Sequence, residues 1–344
     1  MPTSRLVRRF SSLAALAGFA LAGLAAAASA QTPVKFSLDW KYEGPAAPFL
    51  IALDKGYFKD AGLDVTIDTA GGSLEPINRV ASGTYDMGFG DINSLIKFVD
   101  ANPTVPLKAV YMVYNKPAFS IVGRKSLGIT APKDLEGKKL GAPAPDGAWA
   151  QWKIFAAANG IDSTKVTVEN VGFPVREPML AAGDVDAITG FSFSSFINLK
   201  ANGVPADDIT VLLMADHGVD LYGNAIFVNP AFAEKNPEAV KGFLAAFNKA
   251  LKETVADPAA AVEHVTAANP LVAKNVELER LQMAVDQNIL TDEVKANGFG
   301  AIDSARLGAA IDQIGLTYEF KAKPAAEAVF DPSFLPSADD RKVM

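Results

Sequence analysis

What most constrains this chain is a rhythm. Short apolar, β-like runs alternate with helix-length stretches, and past about residue 115 the alternation starts again. Strand followed by helix, repeated, builds a mainly parallel sheet with helices on its faces. In the first round the expected strands are 34–38, 64–68 and 86–89, followed by helices at 49–61, 74–82 and 92–100. In the second round they are 119–122, 139–141, 166–171 and 187–189, followed by helices at 131–135, 148–159, 177–182 and 194–201. A last run, 224–228, precedes helices at 237–256, 258–267, 276–285 and 304–314. The expectation is an α/β protein of two lobes, each a mainly parallel sheet flanked by helices. The first lobe is discontinuous, 31–115 plus 224–323; the second is 116–223; and 324–344 is an extended, Pro-rich tail. The chain crosses between lobes near 115–117 and near 222–224, where Pro117 and Gly223 make natural hinges.

Residues 1–30 read as a leader rather than as part of the fold. Arg5, Arg8 and Arg9 precede an uncharged apolar run, 13–28, and Ala28-Ser29-Ala30 places small residues before a cut between Ala30 and Gln31. The run is Ala-rich and shorter than the ~20 apolar residues a spanning helix needs. Export to the periplasm with a cleaved signal peptide is therefore expected. The remaining length exceeds the ~250–300 residues at which single cores stop growing, which fits two lobes. Removing 1–30 takes away three of 32 basic residues and none of the 39 acidic ones, so the remainder is strongly acidic. Such a surface disfavours nucleic acid as a partner. The chain has no Cys, which excludes thiol catalysis, thiolate metal sites and disulfides.

In an open parallel sheet, ligands sit beyond the carboxyl ends of the strands, where unpaired N–H groups of the following helices point. The strand-to-helix loops are therefore the place to look. After the opening strand come Asp39, Trp40 and Glu43: an aromatic face for stacking and carboxylates that accept from ring nitrogens or amines. The alternative is a core Trp and a turn-capping Asp. Gly72 and Ser73 allow close approach to backbone and an N-cap. Asp91 and Asn93 are either ligand contacts or N-caps. Asp146, Gly147 and Trp149 belong to a stiff Pro-rich loop, with Trp152 one turn further on and one of the two indoles expected in the core. Phe173 and Arg176 lie in the loop 172–177 that leads into the next helix. An Arg at that end opposes the helix dipole, so it answers either a ligand acid group or a carboxylate such as Glu177. Phe191 and Phe193 offer a further aromatic wall, with at least one of the two expected in the core, and Tyr222 stands at the second crossover. His217 and His264 are the only imidazoles. No metal-ligand spacing, nucleophile elbow or phosphate-cradling loop is present, so neither metal nor cofactor is expected.

The segments "LDWKYEGPAAPFLIALDKGYFKDAGLDVTI", "ASGTYDMGFGD", "PKDLEGKKLGAP" and "LAAGDVDAITGF", in that order, resemble the substrate-binding proteins for nitrate, sulfonate, riboflavin and thiamine-pyrimidine precursors of ABC importers. The resemblance, often termed SsuA/THI5-like, spans about 34–315 and leans to the thiamine-pyrimidine branch. It implies a type II periplasmic binding fold that closes like a hinge, a monomer, and delivery of a small organic ligand to an ABC permease. It also implies a ligand-facing role for Asp39 and Trp40. The eukaryotic pyrimidine synthases related to this family use a cysteine cluster and a histidine, and this chain lacks Cys. Two alternatives stay open at this point: an enzyme acting on a small pyrimidine-like substrate, and a sensor presenting its solute to a receptor.

Overall fold

The structure is a computed structural model that describes residues 31–343. The expected leader, with the Ala30 side of its cleavage site, lies outside the described residues. Among the described residues, ten strands form two five-stranded sheets. They are β1 Thr32–Ser37, β2 Leu63–Asp68, β3 Met87–Asp91, β4 Lys108–Met112, β5 Phe119–Arg124, β6 Lys139–Ala142, β7 Thr167–Asn170, β8 Ala187–Phe191, β9 Ile209–Leu213 and β10 Asn224–Val228. The first sheet has the order β2-β1-β3-β10-β4 and the second β7-β6-β8-β5-β9.

The two sheets share one plan. Three strands run parallel, and one antiparallel strand, β10 or β5, lies between the third and the edge. In each sheet that reversed strand is the one that has just arrived from the other lobe. The two crossings, 113–118 and 214–223, are bonded to each other: Val113 and Tyr114 N–H donate to the Asn224 carbonyl, and Gly223 N–H donates to that of Tyr114.

Alternation along the strands sends side chains to opposite faces. Ile226 and Val228 of β10 enter a core with Phe36, Phe49, Phe243 and Phe247, which is where the long helix Pro237–Ala256 packs. Ala225 and Phe227 face a second core that continues through the crossovers into the other sheet, reaching Phe119, Leu140 and Phe155. Val122 and Ile188 face a third, smaller core under Leu180 and Leu199.

Several local expectations change. β4 and β9 are strands that the sequence reading passed over. The helix expected over 49–61 is two, Ala47–Asp54 and Tyr57–Asp60, because Gly56 takes a left-handed φ of 76° between them. The helix expected over 177–182 starts at Phe173, since Pro174 suits a first turn. The stretch 148–159 is divided at Gln151. The tail is not simply extended: Ala326–Val329 and Ala338–Arg341 are helical turns, and Phe330 is buried and bridges to Ala109.

Candidate ligand-binding site

Between the sheets lies a cavity of about 660 Å³ of empty space, part of it open to solvent. Its walls are the segments beyond the carboxyl ends of β1 and β2, with Phe89 of β3 and Tyr114 of the first crossover, on one side, and those at or beyond the ends of β6, β7 and β8 on the other. The lobes meet around it. A Cβ on Gly72, which has φ 110°, would sit 3.0 Å from the Pro145 carbonyl oxygen, and one on Gly147 would sit 3.5 Å from Asp91 Cβ. Both contacts cross from one lobe to the other, so glycine at these positions lets the lobes come together.

Ten of the residues singled out above line this cavity: Asp39, Trp40, Glu43, Gly72, Ser73, Asp146, Gly147, Phe173, Arg176 and Phe191. Asp39 is buried and accepts one side-chain hydrogen bond, from Asn224 Nδ2 at 2.6 Å. Loss of hydration pushes its carboxyl up to about 7; the Asn224 bond opposes this, and the nearby Asp91 and Glu43 charges add to it. The Trp40 indole N–H lies close enough to the Glu43 carboxylate to favour its charged form, although no hydrogen bond of regular geometry forms. Burial raises the Glu43 carboxyl as well, against the pull of Arg280, whose guanidinium is 3.4 Å away.

On the opposite wall the Arg176 guanidinium is buried and already matched. It pairs with Glu177 Oε1 at 2.7 Å and stands 3.6 Å from Asp146 Oδ2. Asp146 is held in turn by the Thr189 hydroxyl at 2.8 Å and the Ala148 N–H at 3.2 Å. Burial still raises the Asp146 carboxyl. Gly190 makes room for this cluster: a Cβ there would overlap the Ser195 hydroxyl and sit 3.2 Å from the Arg176 guanidinium carbon. The carboxylate partner expected as one reading of Arg176 is present in Glu177.

Four singled-out residues lie outside the cavity walls. Asp91 is the N-cap of the helix Ile92–Ala101, and Asn93 bridges it to the Tyr222 carbonyl. Trp149 is half-buried and packs with Trp152 against the second core rather than facing the cavity. Tyr222 is fully buried, with its hydroxyl donating to Glu293 at 2.6 Å and Arg306 over its ring at 4.0 Å. His217 packs edge-on to Phe155, and His264 pairs with Asp54, so neither imidazole lines the cavity.

The sequence reading missed Tyr114 and Phe89, which form the cavity floor together with Phe193. Tyr114 sits on a crossover and Phe89 within β3, so neither stands in a strand-to-helix loop, where parallel-sheet geometry points.

The NMT1/THI5-like family model matches residues 45–261, more than half of the chain. The chain belongs to the NMT1/THI5-like family. Within it, this family member is 27% identical over 323 residues to the 4-amino-5-hydroxymethyl-2-methylpyrimidine phosphate synthase THI13 of Saccharomyces cerevisiae, covering 87% of this chain and 91% of that one. It is 27% identical over 265 residues to the formylaminopyrimidine-binding protein of Halalkalibacterium halodurans, covering 74% and 77%. Among solved structures, the periplasmic aliphatic sulphonate binding protein SsuA of Escherichia coli superposes with a TM-score of 0.70 at 15% identity, over 89% of this chain and 94% of that one. This NMT1/THI5-like protein therefore has the periplasmic binding protein fold.

Proposed function

We propose that this protein is the solute-capturing component of an ABC importer. Exported and freed of its leader, it would hold a small planar, nitrogen-bearing ring in the interlobe cavity and pass it to a membrane permease. The ligand belongs to the pyrimidine-like class named for its relatives. Opening and closing would turn about the two crossovers, and the ligand's contacts with both lobes would favour the closed state.

One observation carries the choice of ligand: which buried charges in the cavity the protein already matches. Asp39 has a single side-chain donor and no ion-pair partner among the described residues, whereas the guanidinium charge of Arg176 is matched by Glu177 and Asp146. An anion such as nitrate or a sulfonate would meet carboxylates without a free buried cation to offset them. A ring that donates hydrogen bonds and stacks on Trp40 and Phe173 meets complementary groups. The binding role is supported by the relative named as a formylaminopyrimidine-binding protein and by the fold shared with the sulphonate-binding protein.

A thermal-shift panel tests this. Aminopyrimidines and related planar heterocycles should raise the melting temperature, since a ligand at 100 times its Kd adds about 2.7 kcal/mol. Incubation with the ligand that binds should return it unchanged. Stabilisation by nitrate or alkanesulfonates alone would overturn the ligand assignment, and turnover would overturn the binding role.

A further inference from the structure

A second cavity adjoins the first and encloses about 1080 Å³ of space open to solvent. The two share the walls Trp40, Lys41, Glu43, Phe173 and Arg176. Where they meet, Trp40 from one lobe and Phe173 from the other touch edge to face, with ring centroids 4.9 Å apart and planes at 64°. Gly72 leaves space for this contact, because a Cβ there would sit 3.2 Å from the Phe173 ring. The pair thus divides one interlobe gap into an inner chamber and an outer one. The outer chamber is polar in a balanced way. Lys41 and Glu43 border it with opposite charges, and Asn198 and Asn202 face it from the helix Ser192–Ala201 and its end.

We propose that the Trp40–Phe173 pair is a gate that sets ligand length, and that the outer chamber is a subsite for an uncharged, hydroxyl-bearing chain attached to the ring held inside. This rests on the ring-binding role proposed above. Two adjoining pockets divided by movable rings act as a length filter: rings in contact admit the bare ring, and rings apart let an appended chain run through. A phosphate is a poorer match than a polyol, since the wall charges of Lys41, Arg176, Glu43 and Glu177 sum to zero and the walls offer amides.

The test uses the full mature chain and two probes, 4-amino-5-hydroxymethyl-2-methylpyrimidine as a bare ring and riboflavin as a planar ring bearing a ribityl chain, with affinities measured by calorimetry. Phe173→Ala should raise riboflavin affinity itself, and not merely its ratio to that of the pyrimidine, by tenfold or more. Ala201→Trp, an exposed substitution on the outer chamber, should cancel that gain when added to it. Phe173 is half-buried at the start of its helix, and circular dichroism would verify that the variant is folded. Phe173→Leu, which keeps bulk without the flat ring, should give an intermediate ratio. An affinity ratio that stays within threefold across all these variants overturns the gate while leaving ring binding intact. Wild-type protein that binds neither probe overturns the ring-binding reading and the gate with it.

Discussion

Asp39 and Asp91 stand beyond or at the carboxyl ends of β1 and β3, neighbouring parallel strands of one sheet, and both are buried. They differ in how fully they are hydrogen-bonded. Asp91 accepts from Asn93 N at 3.0 Å, Asn93 Nδ2 at 2.7 Å, Ser94 N at 2.9 Å, Ser94 Oγ at 2.6 Å and Gln151 Nε2 at 3.3 Å. Asp39 has the single side-chain donor Asn224. A carboxylate saturated by its own protein is a structural part, whereas one left short of donors keeps capacity for a guest. The second lobe shows a related division in charge: Arg176 is ion-paired with Glu177 and Asp146, while Phe173 and Phe191 line the cavity as apolar walls. Position at a strand end brings a residue near the site; spare bonding capacity is what equips it to bind.

The contrast can be broken by exchanging the roles. Asp91→Ala strands several buried donors, so unfolding free energy should fall by about 3 kcal/mol. Urea titration measures it, and the protein that remains folded should keep its ligand affinity. Asp39→Asn should do the reverse. Removing a poorly solvated carboxylate should leave stability at pH 8 equal or higher, while ligand affinity drops by about 2 kcal/mol, roughly 30-fold. If Asp91→Ala weakened binding by folded protein as much as Asp39→Asn does, the distinction between the two aspartates would collapse.

Trp40→Ala sharpens the comparison from the aromatic side. Loss of the stacking face should weaken binding tenfold or more, about 1.4 kcal/mol, with little change in stability because Trp40 is only half-buried. An unchanged dissociation constant in calorimetry would remove Trp40 from the site.

Much of this was legible in the sequence, for identifiable reasons. The strand–helix rhythm marked β1, β2, β3, β6, β7 and β8 because each is followed by its own helix. β4 and β9 lack that signature, since each leads into a crossover, and they went unseen. The reversal of β5 and β10 depends on pairing with strands far away in the sequence, which no local pattern encodes. In the site, the loops at 39–43 and 173–176 could be found because the geometry of parallel sheets sends strand-end loops to the cleft. Whether Arg176 was free or paired could not be read, because its partner Asp146 lies in another loop and Glu177 beside it was only one of several options. Asp91 and Asp39 look alike in sequence; only the count of donors around each separates them.

The smallest effect is also the one whose sign discriminates most. With its carboxyl held at about 7 by burial, Asp39 keeps its proton in the folded chain where the unfolded chain has lost it, from about pH 4 upward. The folded state then binds more protons than the unfolded, so this residue makes stability fall as pH rises from about 4 to 7 and adds no slope above that. Asp39→Asn should remove that part of the slope, which isolates it from the raised carboxyls of Glu43, Asp91 and Asp146. A ligand that donates to the ionised carboxylate selects the deprotonated form. Only about a tenth of that form exists at pH 6 for a group titrating near 7, so affinity should rise up to about tenfold between pH 6 and pH 8. Calorimetry in buffers of different ionisation enthalpy should register proton release on binding, and Asp39→Asn should abolish both signals. Affinity that instead falls over this range would mean that Asp39 keeps its proton and donates to a ring nitrogen, which would reverse its part in recognition while leaving Asp91 structural.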